Sequence, residues 1–471
     1  SQGYFPFTPI YLRAHFMHSS VIFDSALLQK YPARGPRYTS YPTALNFTPK
    51  FGKPDLLKAI EQSNNKTLSL YVHIPFCHKL CYYCGCTKVV TRLQSKADVY
   101  LDYLIKEIEI QAQYMGHKPV TRVHLGGGTP NFLNDIQLKR LMNGLKKHFN
   151  FTTDAELAIE VDPRDMTCER IDTMADMGFN RLSIGLQDID PKVQEAINRV
   201  QSTELIEALV TRAKARNFRS VNLDLIYGLP FQTPESFANT LEAVHKMQVE
   251  RVSLFSYAHL PERFAAQRKL PADALPNAEQ KLVLMRLAIE TLCSYGYQFI
   301  GIDHFALPTD ELAKAQHNKT LTRNFQGYTT EADSDLLGLG VSAISAIGDS
   351  YSQNHKDLNG YYYSIEHDKA APEKGLVLSK DDHIRQQVIS DIMCNLTVDK
   401  AAISLKFGID FDKYFADELG KLRPFIEDQM VVNLSHAICI AYKAQLLLRH
   451  ICMVFDVYLG LATRQKFSAT I

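Results

Sequence analysis

The sequence has no marked excess of charge of either sign. Its 471 residues include 52 Lys and Arg against 51 Asp and Glu, so the formal net charge is +1. Proteins that bind nucleic acid or anionic membrane surfaces usually carry a clear basic excess. Apolar residues make up 46% of the chain and charged residues 22%, which is ordinary for a globular protein. The composition therefore argues against nucleic acid and membranes as partners.

Long apolar runs are also missing. The chain contains no run of about 18 consecutive apolar residues, the length that a membrane-spanning helix needs, so the sequence predicts no membrane span. Residues 1–20 include one Arg and no acidic residue, yet they lack the unbroken apolar core of a signal peptide. We expect them to be a non-native or disordered tail, and we expect the protein to be cytoplasmic.

The paired cysteine spacing of a structural zinc site is absent too. Cys77, Cys81 and Cys84 are separated by three and then two residues, directly after the apolar run 68–74. Zinc usually takes its four ligands from two separated pairs, and no second Cys/His pair of that kind follows. A thioredoxin-like dithiol would use only the last two cysteines. An iron–sulfur cluster uses all three thiolates, and we favour it over both alternatives. A cubane [4Fe-4S] cluster takes four ligands, so one iron would stay open for another molecule.

Short apolar segments alternate with amphipathic segments through the first half of the chain. The sequence predicts strands at 68–74, 122–125, 157–161, 181–186, 221–226 and 251–256, with helices at 98–114, 135–149 and 234–246. Near-continuous apolar strands separated by helices predict a parallel sheet covered by helices. Six such units favour a barrel or partial barrel over a doubly wound sheet.

Polar residues or glycines follow every predicted strand. At the strand ends these positions are the cysteine loop, the Gly126–Gly127–Gly128–Thr129 run, Glu160, Gln187–Asp188, Asp224 and Tyr257–Ala258–His259. The carboxyl ends of parallel barrel strands converge on one mouth, where such barrels place their chemistry. Because all six strands carry such residues at the same end, and the first is followed by the cysteine loop, the sequence predicts one active site at that mouth.

Longer strings make the pattern specific. They are YVHIPFCHKLCYYCGC at 71–86, GGGTP at 126–130, IEVDPR at 159–164, DLIYGLP at 224–230 and GPRYTSYPTAL at 35–45. Together they resemble the radical S-adenosylmethionine (SAM) enzymes, and within them the oxygen-independent coproporphyrinogen III oxidase (dehydrogenase) family. The resemblance implies an α/β fold, a partial (β/α)6 radical SAM barrel with an N-terminal arm and a small, mostly helical C-terminal domain. It places the arm at 21–66, the barrel at 67–375 and the C-terminal substrate-covering domain at 376–471.

The resemblance also implies the cofactors. A [4Fe-4S] cluster on Cys77, Cys81 and Cys84 would bind SAM through its open iron, and one electron would release methionine and a 5′-deoxyadenosyl radical. Two SAM molecules are expected. The residues implied for the first are Tyr71, Gly127, Glu160 and Ile344. Those implied for the second are Tyr83, Gly128, Thr129, Gln187, Arg199, Asp224 and Ala258.

The implied reaction is anaerobic oxidative decarboxylation of two propionate side chains of coproporphyrinogen III to vinyl groups. The product is protoporphyrinogen IX, in haem biosynthesis. The catalytic candidates are Tyr71, His73, Cys86 and Gln326. A histidine bonded to backbone at a strand end is the alternative interpretation of His73, and a surplus structural thiol that of Cys86. An electron donor such as flavodoxin or ferredoxin and a monomeric state are expected.

The arm and the C-terminal region complete the prediction. Arg34 and Arg37 could pair with propionates as charge-assisted contacts, or they could be solvated loop residues. Beyond about residue 375, helical patterns lie at 381–396, 411–419 and 446–459. The alternative function is that of a haem-binding chaperone of the same family. Cys86 and the 35–45 string favour the enzyme.

Overall fold

The computed structural model describes residues 21–31 and 35–459, so the predicted tail at 1–20 and Arg34 lie outside the described residues. The described residues form two compact units. The barrel unit contains residues 44–288 and 331–379. The second unit contains 289–330, 380–459 and the described residues before 44. No helix in these ranges is long and apolar enough to cross a membrane.

The strands are short and are numbered along the chain. They are β1 (Thr67–Ile74), β2 (Phe76–Cys77), β3 (Val89–Val90), β4 (Pro119–Gly127), β5 (Asn150–Val161), β6 (Arg181–Gln187), β7 (Ser220–Tyr227), β8 (Arg251–Ser256), β9 (Gln298–Gly301), β10 (His304–Ala306), β11 (Thr322–Asn324), β12 (Gly327–Thr329), β13 (Ser334–Leu339), β14 (Ile344–Ile347), β15 (Ser350–Gln353), β16 (Lys374–Val377), β17 (Thr397–Asp399), β18 (Val431–Asn433) and β19 (Ala437–Ile440).

The α-helices are numbered in the same way. They are α1 (Ser25–Lys30), α2 (Lys53–Gln62), α3 (Ser95–Met115), α4 (Asp135–His148), α5 (Cys168–Met177), α6 (Pro191–Ala196), α7 (Thr203–Ala215), α8 (Pro234–Met247), α9 (Ala278–Ser294), α10 (Glu311–His317), α11 (Leu358–His367), α12 (Lys380–Asn395), α13 (Lys400–Phe407), α14 (Phe411–Tyr414), α15 (Ala416–Lys421), α16 (Arg423–Glu427) and α17 (Leu448–Val454).

Six parallel strands form the centre of the barrel unit, in the sequential order β1-β4-β5-β6-β7-β8. At least one helix connects each strand to the next, as βα crossovers require. The predicted partial (β/α)6 barrel is therefore confirmed. On the other side of β1, β13 is also parallel, and β14, β15 and β16 continue the sheet in antiparallel order.

The helices cover this sheet with apolar faces. Helix α4 buries Leu138, Leu141 and Leu145, and complete burial of each such side chain contributes about 1.5–3 kcal/mol. Its start is fixed by a capping box, in which Asn134 and Gln137 each accept the other's backbone N–H. Sequence periodicity predicted this helix to within one residue because its apolar spacing is regular.

The second unit differs more from the sequence prediction. Residues 289–330, which the sequence boundaries place within 67–375, lie in this unit because β9, β11 and α10 pack against α12. The predicted helix at 411–419 is two helices, α14 and α15, and the helix predicted at 446–459 is only α17. The antiparallel sheet β17-β19-β18 was not predicted, since strands of three or four residues show no period.

An ion-pair cluster lies toward the amino ends of the central strands. Glu156 of β5 lies 2.5 Å from Arg181 Nε and 3.3 Å from Arg122 Nε. Burial opposes ionisation of Glu156, but Arg122, Arg181 and Arg251 outweigh it and hold its pKa below the usual range. Residues at this end of a parallel barrel serve stability rather than catalysis.

Replacing Glu156 by Gln should therefore destabilise the barrel unit. The change leaves Arg181 without its counter-charge, which costs about 3–5 kcal/mol in a buried pair. Since the pKa of Glu156 is lowered by folding, the pair stabilises above about pH 4.3 and its contribution is lost as pH falls through the lower folded value. Urea unfolding of Glu156→Gln and wild type should differ most near neutral pH and converge in acid. Glu195→Gln, at an exposed position, should shift stability by under about 0.5 kcal/mol; equal losses in both variants would contradict this role.

Candidate active site

One cavity of about 350 Å³ lies at the carboxyl ends of the parallel strands. Its lining includes most of the predicted site residues: Cys77, Cys81, Tyr83, Cys84, Cys86, Gly127, Gly128, Thr129, Glu160, Gln187, Arg199 and Asp224. Tyr71, His73, Ala258 and Ile344 belong to the same unit but do not line the cavity, and Gln326 belongs to the second unit. The strand-end pattern thus brings together side chains that are up to 147 residues apart, from Cys77 to Asp224.

The cysteine loop is held in place by backbone hydrogen bonds at its two ends. Val89 N–H donates to Pro75 O at 2.7 Å, and Thr91 N–H donates to Cys77 O at 3.0 Å. These bonds pair β2 with β3 and close the loop around the three cysteines. Cys77 and Cys81 are each only 8% exposed, so the loop presents their thiols to the cavity rather than to solvent.

Two of the three cysteine sulfurs have a hydrogen-bond donor, one from the glycine run and one from the loop itself. Thr129 Oγ1 donates to Cys77 Sγ at 3.2 Å, and the Cys86 backbone N–H lies 3.5 Å from Cys84 Sγ. Hydrogen bonds to ligand sulfurs tune the reduction potential of an iron–sulfur cluster. Cys86 therefore contributes to the surroundings of a ligand through its backbone, whatever its thiol does.

The third sulfur lies beside two arginines that share one carboxylate. Arg199 Nη1 and Arg164 Nη2 each lie 3.4 Å from Cys81 Sγ. Both guanidinium groups also bind Asp162, at 3.1 and 2.6 Å respectively. Burial opposes ionisation of Asp162, but the two arginines hold its pKa below the usual range. Arg199 is one of the residues implied for the second SAM. Most of its donors already serve Asp162, Cys81 and the Gly185 carbonyl, while its Nε is buried without a partner.

The donor set fits a [4Fe-4S] cluster with one open iron. Three thiols line one cavity, with hydrogen-bond donors and positive charge directed at their sulfurs. Among the described residues, no three His, Cys, Asp or Glu side chains converge on one point as ligands of a single ion would. In a cubane each thiolate binds its own iron, so convergence on one point is not required.

The glycine run after β4 brings the main chain close to the loop. Gly127 has φ +116°, and a Cβ there would lie 2.6 Å from His73 Cε1. A Cβ on Gly128 would lie 2.7 Å from the Pro75 carbonyl carbon and oxygen. Side chains at these positions would displace strand β1 or its following residue, so glycine is required for this approach.

Tyr71 and His73 form a hydrogen-bonded pair beneath that run. His73 Nε2 lies 3.3 Å from Thr87 O, a pure acceptor, so Nε2 carries the proton. Its Nδ1 therefore accepts from Tyr71 OH at 3.1 Å. Burial lowers the pKa of His73 and raises that of Tyr71, which keeps both neutral. The bond to Thr87 matches the alternative interpretation of His73 as a strand-end histidine bonded to backbone.

Two carboxylates, one from each of the strands that flank β6, line the cavity with their pKa values shifted in opposite directions. His124 Nε2 donates to Glu160 Oε1 at 2.8 Å. Desolvation opposes ionisation of Glu160, but this bond and the Gly127 N–H hold its pKa below the usual range. Burial, then the charge of Glu160, raises the pKa of Asp224 to about 6. Asn222 and Ser183 donate to Asp224 at 2.8 and 3.2 Å.

Sequence reasoning missed a glutamine that supports the cluster loop. Gln267, 2% exposed, donates through Nε2 to Tyr83 O at 3.0 Å and to Ala258 O at 3.2 Å. It thereby ties two predicted SAM-binding positions together. The Tyr83 ring packs against an apolar cluster that includes Ile226 and Tyr257. Gln267 lies in a short 3₁₀ segment whose sequence carries no motif.

The two remaining predicted residues lie on short strands or turns. Ile344 begins β14, and its backbone lies within 2.5–2.8 Å of where a Cβ on Gly338 would be. Gly338 is the register partner of Tyr71 in β13, so Ile344 is brought close to β1. Gln326 lies in the turn between β11 and β12, with its Nε2 buried and without a partner.

Arg37 lies in the second unit within an arginine cluster. Its Nη1 is 3.2 Å from Asp303 Oδ2, and its side chain is 40% exposed. Arg323 and Arg449 also act electrostatically on Asp303, so three cations surround one carboxylate. Burial, then the charge of Arg37, lowers the pKa of Arg449 to about 10. Arg449 also holds the arm by donating to Pro36 O at 2.9 Å and to Gly35 O.

The comparisons agree with this geometry. A family model described as the radical SAM superfamily matches residues 71–244, and one described as the HemN C-terminal domain matches 378–447. A Salmonella typhimurium protein named oxygen-independent coproporphyrinogen III oxidase is 51% identical over 449 residues, which cover 95% of this chain and 98% of that protein. A protein of the same name from Pseudomonas aeruginosa is 46% identical over 460 residues, 97% of this chain and 100% of its own length.

This chain belongs to the oxygen-independent coproporphyrinogen III oxidase family. The solved structure of coproporphyrinogen III oxidase (HemN) from Escherichia coli, described as a radical SAM enzyme, has a TM-score of 0.90 to this chain. It is 49% identical and covers 93% of this chain and 100% of its own. The predicted family and fold are confirmed, and the chain is a radical SAM oxidoreductase. Its cofactors are a [4Fe-4S] cluster and SAM, as predicted.

Proposed function

We propose that the protein converts two propionate side chains of coproporphyrinogen III to vinyl groups without oxygen, giving protoporphyrinogen IX in haem biosynthesis. The observation that carries this proposal is the single cavity lined by three cysteines, the glycine run and the two strand-end carboxylates. When bound, the cluster and SAM supply a 5′-deoxyadenosyl radical able to abstract a propionate hydrogen. The protein itself binds, orients and excludes water.

The chain's own residues have distinct roles in this proposal. Cys77, Cys81 and Cys84 hold the cluster. Backbone groups of Gly127 and Gly128 approach the methionine part of SAM, since neither carries a side chain. Glu160, kept ionised by His124, accepts from ammonium or hydroxyl donors.

A second SAM molecule in the same site is part of the proposal. The residues assigned to the first are Tyr71, Gly127, Glu160 and Ile344, and those assigned to the second are Tyr83, Gly128, Thr129, Gln187, Arg199, Asp224 and Ala258. The support is that Gly127 and Glu160 from the first set line the same cavity as most of the second set. Equilibrium dialysis of the cluster-loaded protein with labelled SAM should reach two equivalents.

Tyr71, His73, Cys86 and Gln326 are the proposed catalytic residues. His73 lies next to Gly127, where an added Cβ would be 2.6 Å from His73 Cε1, and Tyr71 donates to His73 Nδ1, so the pair is placed beside the glycine run. Cys86 lines the cavity and is exposed. Its side chain also hydrogen-bonds Cys84, so the thiol lies beside a cluster ligand at the cavity.

The arginine cluster of the second unit suits the substrate's carboxylates. Three cations around Asp303 leave net positive charge, and guanidinium groups bind carboxylates as charge-assisted pairs. Arg37, which pairs with Asp303 and has a side chain that is 40% exposed, is the proposed propionate contact. Arg34 is retained as a second candidate from the sequence and lies outside the described residues.

Removing Arg37 should weaken substrate binding selectively. A charge-assisted hydrogen bond contributes about 1.5–3 kcal/mol, so Arg37→Ala should raise KM about tenfold or more. Substrate-independent cleavage of SAM should be unchanged, and Arg37→Lys should recover part of the affinity. Since Arg37 also pairs with Asp303, melting curves of both variants serve as the control for folding. Unchanged KM in Arg37→Ala would contradict the proposed propionate contact.

The direct test of function is an anaerobic assay. Cluster-loaded protein, SAM, dithionite and coproporphyrinogen III should give protoporphyrinogen IX, detected by mass as the loss of two CO2 and four hydrogen atoms. The haem-chaperone alternative predicts stoichiometric haem binding and no decarboxylated product. The reported relatives carry the oxidase name, which favours the enzyme.

We also propose a monomer in a reducing cytoplasm, where an external one-electron donor such as flavodoxin or ferredoxin reduces the cluster.

A further inference from the structure

A second concavity lies behind the cluster loop, outside the active-site cavity. It measures about 510 Å³ and is lined by His78, Lys79, Leu80, Val90, Thr91, Arg92 and Asn198. We call it the basic groove. Only Lys79 lines both cavities. None of the other groove residues has a role in the proposed chemistry.

The groove is built from the same backbone that holds the cluster. His78, Lys79 and Leu80 are the residues that connect the ligands Cys77 and Cys81. Thr91 N–H donates to Cys77 O at 3.0 Å, and Asn198 Nδ2 donates to Leu80 O at 2.8 Å. The floor of the groove is therefore bonded to one ligand residue and adjacent in sequence to both. An electron entering here has a short covalent and hydrogen-bonded path to the cluster.

The charge of this region differs from that of the chain as a whole. Residues 78–97 contain four Lys and Arg and no Asp or Glu, in a chain of net charge +1. Lys79, Arg92 and Lys96 are exposed, and within the described residues none of the three forms an ion pair. His78 is the exception among the basic residues, because Asp165 lies 2.8 Å from its Nδ1.

Exposed apolar side chains accompany these charges. Val90 is 44% exposed and Leu93 is 60% exposed, one within the groove and one next to Arg92. A basic rim around a small apolar area is suited to a transient protein partner of opposite charge.

We propose that the basic groove docks an acidic one-electron carrier protein and is the electron entrance to the cluster. This rests on the proposed function, because the cluster must be reduced from outside before SAM can be cleaved. In the step itself the reduced carrier gives up one electron, and the oxidised cluster gains it. No bond forms or breaks, and no proton is transferred. Complementary charge acts mainly on the rate of association.

The test uses reduced flavodoxin, an acidic flavoprotein, as the probe. The variant is Arg92→Glu/Lys96→Glu, which leaves Lys79 and the cavity unchanged. Its matched control is Lys58→Glu, an exposed cation on α2. That helix lies against the opposite end of α3, since Lys53 is 5.5 Å from the Tyr114 ring. Lys96 and Tyr114 are separated by about 27 Å along α3, at 1.5 Å per residue.

The readout is bleaching of the cluster absorbance in stopped flow, with no SAM or porphyrinogen present. The second-order rate with flavodoxin should fall at least tenfold in the double variant at low salt and converge with wild type at high salt. Reduction by dithionite, and the rate in Lys58→Glu, should be unchanged. Because no turnover is measured, failure of the proposed substrate would not affect the result.

Three outcomes would overturn the proposal. One is an unchanged flavodoxin rate in the double variant. The second is an equal fall with dithionite, which would mean that the substitutions damage the cluster itself. The third is loss of duplex DNA binding in the double variant with the flavodoxin rate preserved, which would assign the charge to nucleic acid. A wild-type flavodoxin rate in Arg92→Lys/Lys96→Arg, which keeps both positive charges, would confirm that charge alone is required.

Discussion

Replacing Cys77, Cys81 or Cys84 by Ser should remove the [4Fe-4S] cluster and all SAM cleavage. The cubane has only three protein ligands, because its fourth iron is left open for SAM. Losing one of the three thiolates would leave two, which are too few to hold the cluster. The three thiols line one cavity, and each sulfur has a hydrogen-bond donor. Iron and sulfide content and the broad visible absorbance of anaerobically reconstituted protein measure this directly.

Cys86→Ser is the matched control for these variants. Cys86 lies in the same loop and lines the same cavity. Its backbone N–H lies 3.5 Å from Cys84 Sγ, and its side chain also hydrogen-bonds Cys84; serine keeps both the N–H and a side-chain donor. The variant should therefore retain its iron and sulfide, whatever happens to turnover. Full iron content and activity in Cys84→Ser, or loss of the cluster in Cys86→Ser, would show that the ligand assignment is wrong.

Gly128→Ala should have the second largest effect, on the binding of SAM. A Cβ at Gly128 would lie 2.7 Å from the Pro75 carbonyl, which is backbone and cannot turn away. Gly128 N–H also donates to Ile74 O at 2.8 Å, so the glycine run would move away from the cluster loop. Overpacking of this kind costs about 1–3 kcal/mol, which corresponds to about 5- to 150-fold weaker SAM binding.

Gly144→Ala provides the comparison for that substitution. A Cβ on Gly144 of α4 would lie 3.5 Å from Ile105 Cγ1, an ordinary contact, and alanine favours a helix by about 1 kcal/mol. SAM affinity should be unchanged, and thermal stability unchanged or raised. Calorimetric titration of cluster-loaded protein with SAM separates the two variants. Equal affinities in Gly128→Ala and wild type would contradict the proposed role of the glycine run.

Local sequence features predicted the centre of the molecule well. The 77–84 spacing identified the cysteine loop because all three ligands lie within one turn of chain. The six parallel strands were found because strands buried on both faces are continuous apolar runs. Strand ends then placed Glu160, Gln187 and Asp224 in one cavity, as observed. These are short-range patterns whose physical cause lies within the segment itself.

What was missed depends on contacts between distant residues. The contact between Arg199 and Asp162, 37 positions earlier, was not predicted. Gln267 supports Tyr83 from 184 positions away and has no motif. The predicted start of β5 lies too late in the chain, at 157 rather than 150. The polar first half of this strand is held by pairing with β4 and not by apolar character. Pairing and packing of this kind cannot be obtained from periodicity.

The measurement that tests the central claim most directly follows one hydrogen atom. The protein is given SAM and dithionite anaerobically, with coproporphyrinogen III deuterated at the propionate β-carbons, and the 5′-deoxyadenosine formed is analysed by mass. If the cavity at the strand ends generates a radical that attacks that carbon, deuterium should appear in the 5′-deoxyadenosine in step with the vinyl product. Unlabelled 5′-deoxyadenosine alongside vinyl product would contradict direct abstraction at the propionate.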